Sequence, residues 1–199
     1  IEKIVYFYLL KHFIKQLNKM IKKLIFTIMI FSFFSNLSAN YHKLAYDFNF
    51  SGLDGNQINL KDYENKVIVV VNVASRCGYT PQYEGLQTLW DNFKNDLVVI
   101  GIPTNNFKQE PKNNEEIKKF CDTNFGISFP MTEKMDVIGN NAHPFFKWAK
   151  KNYGIGAIPK WNFHKIIIGK DGKVANTFAS FTKPTSKKFL NFINKEIKS

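Results

Sequence analysis

Cys77 is the residue whose type and setting most readily do chemistry. It lies in Asn72-Val-Ala-Ser-Arg-Cys-Gly-Tyr-Thr80, directly after the apolar run Lys66-Val-Ile-Val-Val-Val71. A β-branched run of that length reads as a fully buried strand. Ala, Ser and Gly then lead the chain out through a tight turn, and helix-like sequence follows from Gln82 to Phe93. The pattern puts one thiol at the C-terminal end of a central strand and near a helix N-terminus. Amide N–H groups and the helix dipole there favour thiolate over thiol, and the thiolate is the nucleophile of redox chemistry. A free cysteine is also a small hydrophobe, often buried and inert. Taken alone, the residue leaves both readings open.

The flanking residues decide between them. Asn72-Val-Ala-Ser-x-Cys-Gly-x-Thr resembles the active-site signature of the glutathione peroxidase family, in which Cys or selenocysteine holds this position. Ile102-Pro-Thr-Asn-Asn-Phe-Lys-Gln-Glu-Pro111 resembles the family's Phe-Pro-Cys-Asn-Gln-Phe-Gly-x-Gln-Glu-Pro stretch, with one residue fewer after the Phe. Phe129-Pro-Met, Asn141-Ala-His-Pro-Phe145 and Trp161-Asn-Phe-x-Lys165 match further family segments. The resemblance runs from about Tyr46 to Lys195.

It implies a thioredoxin-type fold and a peroxidase. It also implies a catalytic tetrad around the thiol, which by position is Cys77, Asn106, Trp161 and Asn162. The indole N–H of Trp161 donates and cannot accept, and the Asn162 amide donates as well. Such donors hold a thiolate ionised and stabilise the hydroxide or alkoxide that leaves when it attacks a peroxide. The sequence departs from the family at Asn106, where Gln is usual, and at Thr104, where a Cys often stands.

Cys121, in Ile117-Lys-Lys-Phe-Cys-Asp-Thr-Asn-Phe125, falls in the region where thioredoxin-dependent members of the family carry a resolving cysteine. Plant-type members place it one position later, at Asp122, and one helical residue rotates a side chain by ~100°. A disulfide needs Cα atoms within ~7 Å, so the helix must loosen for the two thiols to meet. An inert core cysteine is the alternative.

The implied cycle starts with Cys77 reducing hydrogen peroxide or an organic hydroperoxide and becoming a sulfenic acid. Cys121 then forms a disulfide with it, and a thioredoxin-like dithiol restores both thiols. If Cys121 does not resolve, glutathione or another small thiol must. Arg76, the only arginine, lies beside Cys77, which argues against a multi-arginine glutathione site. No cofactor is expected, and no Cys/His spacing reads as a zinc site. The four histidines are scattered and read as structural or surface residues. Two other classes stay open: a protein thiol–disulfide oxidoreductase, disfavoured by the missing Cys-x-x-C, and a non-enzymatic thioredoxin-fold binding module.

The elements that must position these residues are legible from the same chain. Leu53-Asp-Gly55 and Lys170-Asp-Gly172 mark two hairpins, since Gly supplies the positive φ of such turns. Val67–Val73 and Leu97–Ile102 read as buried strands. Gln82–Phe93, Asn113–Asn124, Asn141–Lys151 and Pro184–Ile197 read as helices, with Pro144 in a first turn. The expected class is α/β: two parallel strands joined by a crossover, an antiparallel hairpin, and helices on both faces. The segment between Lys151 and Trp161 is short where tetrameric relatives carry an insertion. That implies a monomer with an open cleft that admits bulky or lipid hydroperoxides.

The 199 residues suggest one domain, behind a leader. Residues 1–40 carry six Lys and one Glu, so the formal charge of +12 falls to +7 beyond them. The excess is spread lysine with no Arg/aromatic cluster, so nucleic acid is not an expected partner. Met20-Ile-Lys-Lys, the apolar run Leu24–Phe34 and Ser35-Asn-Leu-Ser-Ala39 compose a secretory signal. Met20 is the expected start, cleavage is expected near Ala39, and the domain is expected to occupy 40–199 as an exported, periplasmic protein. An uncleaved N-terminal anchor is the other possibility.

Overall fold

The computed structural model describes residues 14–22 and 41–199. The chain divides into two compact units, Ile1–Asn40 and Tyr41–Ser199. In the first, residues 14–22 are helical. The apolar run 24–34 and the expected cleavage point near Ala39 lie outside the described residues.

The second unit is built on a four-stranded sheet in which β3 (Val67–Val73) is central. β4 (Leu97–Pro103) pairs parallel to β3 along its whole length, from Val67↔Leu97 to Val73↔Pro103. The helix α1 (Gln82–Phe93) is the crossover between them. On its other side β3 takes β5 (Lys165–Ile168) antiparallel, and β6 (Val174–Phe178) pairs antiparallel to β5. The expected first hairpin forms a small sheet of its own, β1 (Asn49–Ser51) against β2 (Gln57–Asn59). Ahead of it, Ala45–Asp47 coils into a 3-10 turn.

Every residue of β3 and β4 is buried, as their unbroken apolar runs require. Successive side chains point to opposite faces, so the runs feed two cores. Ile68 and Val70, with Val98, Ile100, Ile166 and Ile168, meet Phe145, Phe146 and Trp148 of α3 (Pro144–Tyr153). Val67, Val69, Val71 and Val73 meet Tyr83, Leu86 and Leu89 of α1. The same face takes Ile117 and Cys121 of α2 (Asn114–Phe125) and Phe189 and Ile193 of α4 (Lys187–Lys198). Each such side chain, once buried, contributes about 1.5–3 kcal/mol. Asn113 caps α2 through a reciprocal pair with Glu116, both bonds 2.9 Å, and Gly126 ends it at φ 56.

This topology brings three loops to one edge of the sheet. The C-terminal ends of β3 and β4 lie side by side at Val73 and Pro103. Because β5 runs the other way, its first residue, Lys165, pairs with Val71 at the same end. The segments 74–81, 104–113 and 158–164 therefore converge there.

Lys165 secures that corner. It is fully buried, and its Nζ donates to Gln82 Oε1 (2.5 Å) and to the Thr182 carbonyl (2.7 Å). Gln82 Nε2 in turn donates to the Ser180 carbonyl at 2.6 Å. Burial pushes the Lys165 amine down to about 7 from 10.5. The unfolded chain therefore binds a proton that the folded one sheds. Stability attributable to this group is complete above pH 10.5 and is lost as pH falls towards 7. Between pH 7 and 9 the expected gain is about 2 kcal/mol. Urea denaturation at the two pH values measures it, and Lys165→Met is expected to abolish the slope.

Candidate active site

Cys77 follows β3 on a loop that is fastened from several directions. Glu110 Oε2 accepts from both the amide and the hydroxyl of Ser75, each at 2.7 Å. The Arg76 amide donates to the Gln109 carbonyl at 3.0 Å. Thr80 Oγ1 accepts from the Cys77 amide (3.1 Å) and donates to the Ala74 carbonyl (2.8 Å). The Glu110 carboxyl is buried, and burial raises it above the usual carboxylate range against the lowering pull of the Ser75 bonds. The residues doing this fastening (Ser75, Thr80, Glu110) were not singled out in the sequence.

The thiol itself is 7% exposed. Its Sγ accepts from the Tyr79 amide at 3.4 Å. The helix α1 begins only at Gln82, and overlapping turns closed by Thr80, Gln82 and Tyr83 amides lead into it. One amide of the turn, rather than the end of the helix, thus serves the sulfur.

Asn72 binds the third loop to the end of β3. Its Nδ2 donates to the Trp161 carbonyl (3.1 Å), its Oδ1 accepts from the His164 amide (3.2 Å), and its carbonyl accepts from the Phe163 amide (2.5 Å). These bonds hold Phe163 at φ 63, a left-handed conformation that costs a bulky residue on the order of 1–3 kcal/mol. The turn sends the side chains of Trp161 and Asn162 to different surroundings. The Trp161 ring is 41% exposed and packs on Phe107 with centroids 5.5 Å apart. Asn162 is buried, and its Nδ2 donates to Gln109 Oε1 at 2.9 Å. Next to them, burial drives the His164 imidazole down to about 4, with the Lys165 charge adding to the effect, so it is neutral at physiological pH.

Asn106, the expected fourth member of the tetrad, is occupied elsewhere. Its Nδ2 donates to Asp136 Oδ1 at 2.7 Å. Its Oδ1 accepts from the Val137 and Ile138 amides (2.7 and 3.3 Å) and from the Thr104 hydroxyl (3.0 Å). The side chain holds the 136–138 turn against the end of β4. Gln109 is the amide that meets Asn162, and its backbone carbonyl holds the Cys77 loop. Its Nε2 makes no hydrogen bond among the described residues, so it keeps free donors. Gln109 stands in the Gln109-Glu110-Pro111 that matches the end of the family stretch, and nothing in the sequence marked it for this position.

Cys121 lies on α2 in the same core as Cys77, and both are free thiols. Burial pushes its thiol up to about 11. Glu110 and Asp122 add to the rise, and the Tyr83 hydroxyl opposes it. In this arrangement Cys121 is a neutral, enclosed thiol. Among the described residues no three His, Cys, Asp or Glu side chains gather as metal ligands.

A thioredoxin-like sheet that carries one thiol at the end of its central strand, without a Cys-x-x-C partner, fits a thiol peroxidase. Residues 45–150 match the family model for glutathione peroxidase. A hydroperoxy fatty acid reductase of Synechocystis is 42% identical over 158 residues, which cover 74% of this chain and 94% of that protein. A glutathione peroxidase-like peroxiredoxin of Chlamydomonas reinhardtii is 45% identical over 138 residues, 67% of this chain and 85% of that one. Among solved structures, that of Trgpx in apo form superposes with a TM-score of 0.62 at 35% identity, covering 79% of this chain and 97% of that one. The chain belongs to the glutathione peroxidase family, and it is a peroxidase.

Proposed function

We propose that Cys77 reduces hydrogen peroxide and organic hydroperoxides, that Cys121 resolves the product, and that a thioredoxin-like dithiol recycles the pair. The Cys77 sulfur attacks the nearer peroxide oxygen. The O–O bond breaks, the alcohol or water leaves with a proton, and Cys77 becomes a sulfenic acid. Trp161 Nε1, Asn162 and Gln109 supply the donors around the sulfur and the leaving oxygen. The Asn162–Gln109 bond, made beside the loop that carries Cys77, is the observation that carries this assignment. It also favours Gln109 over Asn106 for the amide role.

Cys121 then displaces hydroxide from the sulfenic sulfur. For that, α2 must loosen, since its thiol is enclosed. The exposed Trp161 face favours an open cleft and a substrate range that includes fatty-acid hydroperoxides, the class named for the Synechocystis relative. Activity on hydrogen peroxide with none on such lipids would remove that class. The short connection from α3 to Trp161 favours a monomer. The leader pattern favours export to the periplasm, which N-terminal sequencing of the secreted chain checks.

One equivalent of hydrogen peroxide on the reduced protein, read by intact mass and peptide mapping, tests the cycle. The expected product has lost two hydrogens and carries a Cys77–Cys121 link. An oxygen adduct that persists on Cys77 would instead mean a one-cysteine cycle served by glutathione or another small thiol. No change at Cys77 would sink the reading.

A further inference from the structure

Two buried polar groups on the α1 face have no role in the cycle as described so far. Tyr83, in the first turn of α1, is fully buried, and among the described residues its hydroxyl has no partner of hydrogen-bonding geometry. Glu110 keeps Oε1 buried and unpartnered while Oε2 holds Ser75. Cys121 is enclosed in the same core, one turn of α2 before Phe125, whose ring packs on that of Tyr83. A buried hydroxyl left unpaired works against folding, and phenylalanine would fill the same space without that cost.

The position of Tyr83 gives its hydroxyl a use. Its amide closes the turn on Thr80, so it belongs to the same rigid segment as Cys77. Its ring is wedged between Phe163 (5.4 Å, edge-on) and Phe125 at the end of α2 (5.1 Å). Tyr83 thus joins the segment that carries Cys77 to the end of the helix that carries Cys121.

We propose that Tyr83 is a catalytic hydrogen-bond donor of the resolving step, its O–H bonding to Cys121 Sγ as that sulfur takes on negative charge. In this step the Cys121 sulfur attacks the Cys77 sulfur, an S–S bond forms and the S–O bond breaks. The Cys77 sulfur is reduced and the Cys121 sulfur oxidised. The departing hydroxide leaves as water with the proton that Cys121 gives up. Tyr83 keeps its own proton and lowers the cost of the thiolate. Burial, with Glu110 and Asp122 adding to it, opposes ionisation and keeps the enclosed thiol neutral.

The inference rests on Cys121 as the resolving thiol, and the test separates the two. Tyr83→Phe and wild-type protein are each given one equivalent of hydrogen peroxide from pH 6 to 9. Trapping with dimedone reads the sulfenic acid, and quenched mass reads the disulfide. Expected in the variant are unchanged sulfenic acid formation and a melting temperature at or above wild type. Disulfide formation should be about tenfold slower, with its pH profile displaced upward by about one unit. A wild-type rate and profile would overturn the role of Tyr83 alone. A variant that melts well below wild type would overturn it too, by showing that the hydroxyl is structural. If wild-type protein itself forms no Cys77–Cys121 link, the two-cysteine cycle fails and the inference falls with it.

Discussion

Cys77→Ser is expected to lower hydroperoxide reduction by at least about a thousandfold while leaving the fold in place. The first half follows from nucleophile chemistry: a serine hydroxyl has almost no ionised fraction at neutral pH, whereas a thiol is nucleophilic and readily ionised. The second follows from how the loop is held. Glu110, Gln109 and Thr80 fix it through Ser75, Arg76 and the Cys77 amide, and none of these bonds uses the sulfur. Among the described residues the Tyr79 amide is the one donor to Sγ, and a serine oxygen can accept from it. The melting midpoint should therefore move by no more than roughly 1 kcal/mol equivalent. Stopped-flow peroxide consumption and a thermal melt on the same preparation read both. Activity above a tenth of wild type would make Cys121 the peroxide-reactive thiol and reverse the two roles.

What could be read from the sequence divides along physical lines. β3, β4 and α1 were legible nearly to the residue, because a strand buried on both faces and a helix with one apolar stripe each impose a pattern on their own residues. The hairpin turns were legible for a similar reason: Gly55 and Gly172 sit at φ 84 and 73, where other residues are strained. The site was less legible, since its bonds join residues distant in the chain. Asn72 reads as one more strand residue, yet it holds Trp161, Phe163 and His164. Phe163 has no sequence mark of its left-handed turn. Glu110 carries no sequence mark of its burial against Ser75. The two asparagines at 106 and 162 look equivalent as amides, and only their partners distinguish them.

Those partners set up the second large effect. Gln109→Leu is expected to slow the oxidation of Cys77 by peroxide roughly tenfold to a hundredfold. The substitution removes the acceptor of the Asn162 amide and the free Nε2 donors together, while the Arg76 bond to the residue 109 carbonyl survives because it is a backbone bond. The loss should appear in the second-order rate of sulfenic acid formation and leave the later dithiol-dependent step unchanged. Asn106→Ala should behave in the opposite way. It strips the 136–138 turn of one donor and of an acceptor shared by two amides and a hydroxyl. The expected cost is about 1–3 kcal/mol of stability, with the peroxide rate per folded molecule near wild type. Rates and denaturation midpoints for the two variants settle which amide serves the sulfur. A large rate loss in Asn106→Ala with none in Gln109→Leu would return the role to Asn106, and would mean that the 104–111 loop rearranges when substrate binds.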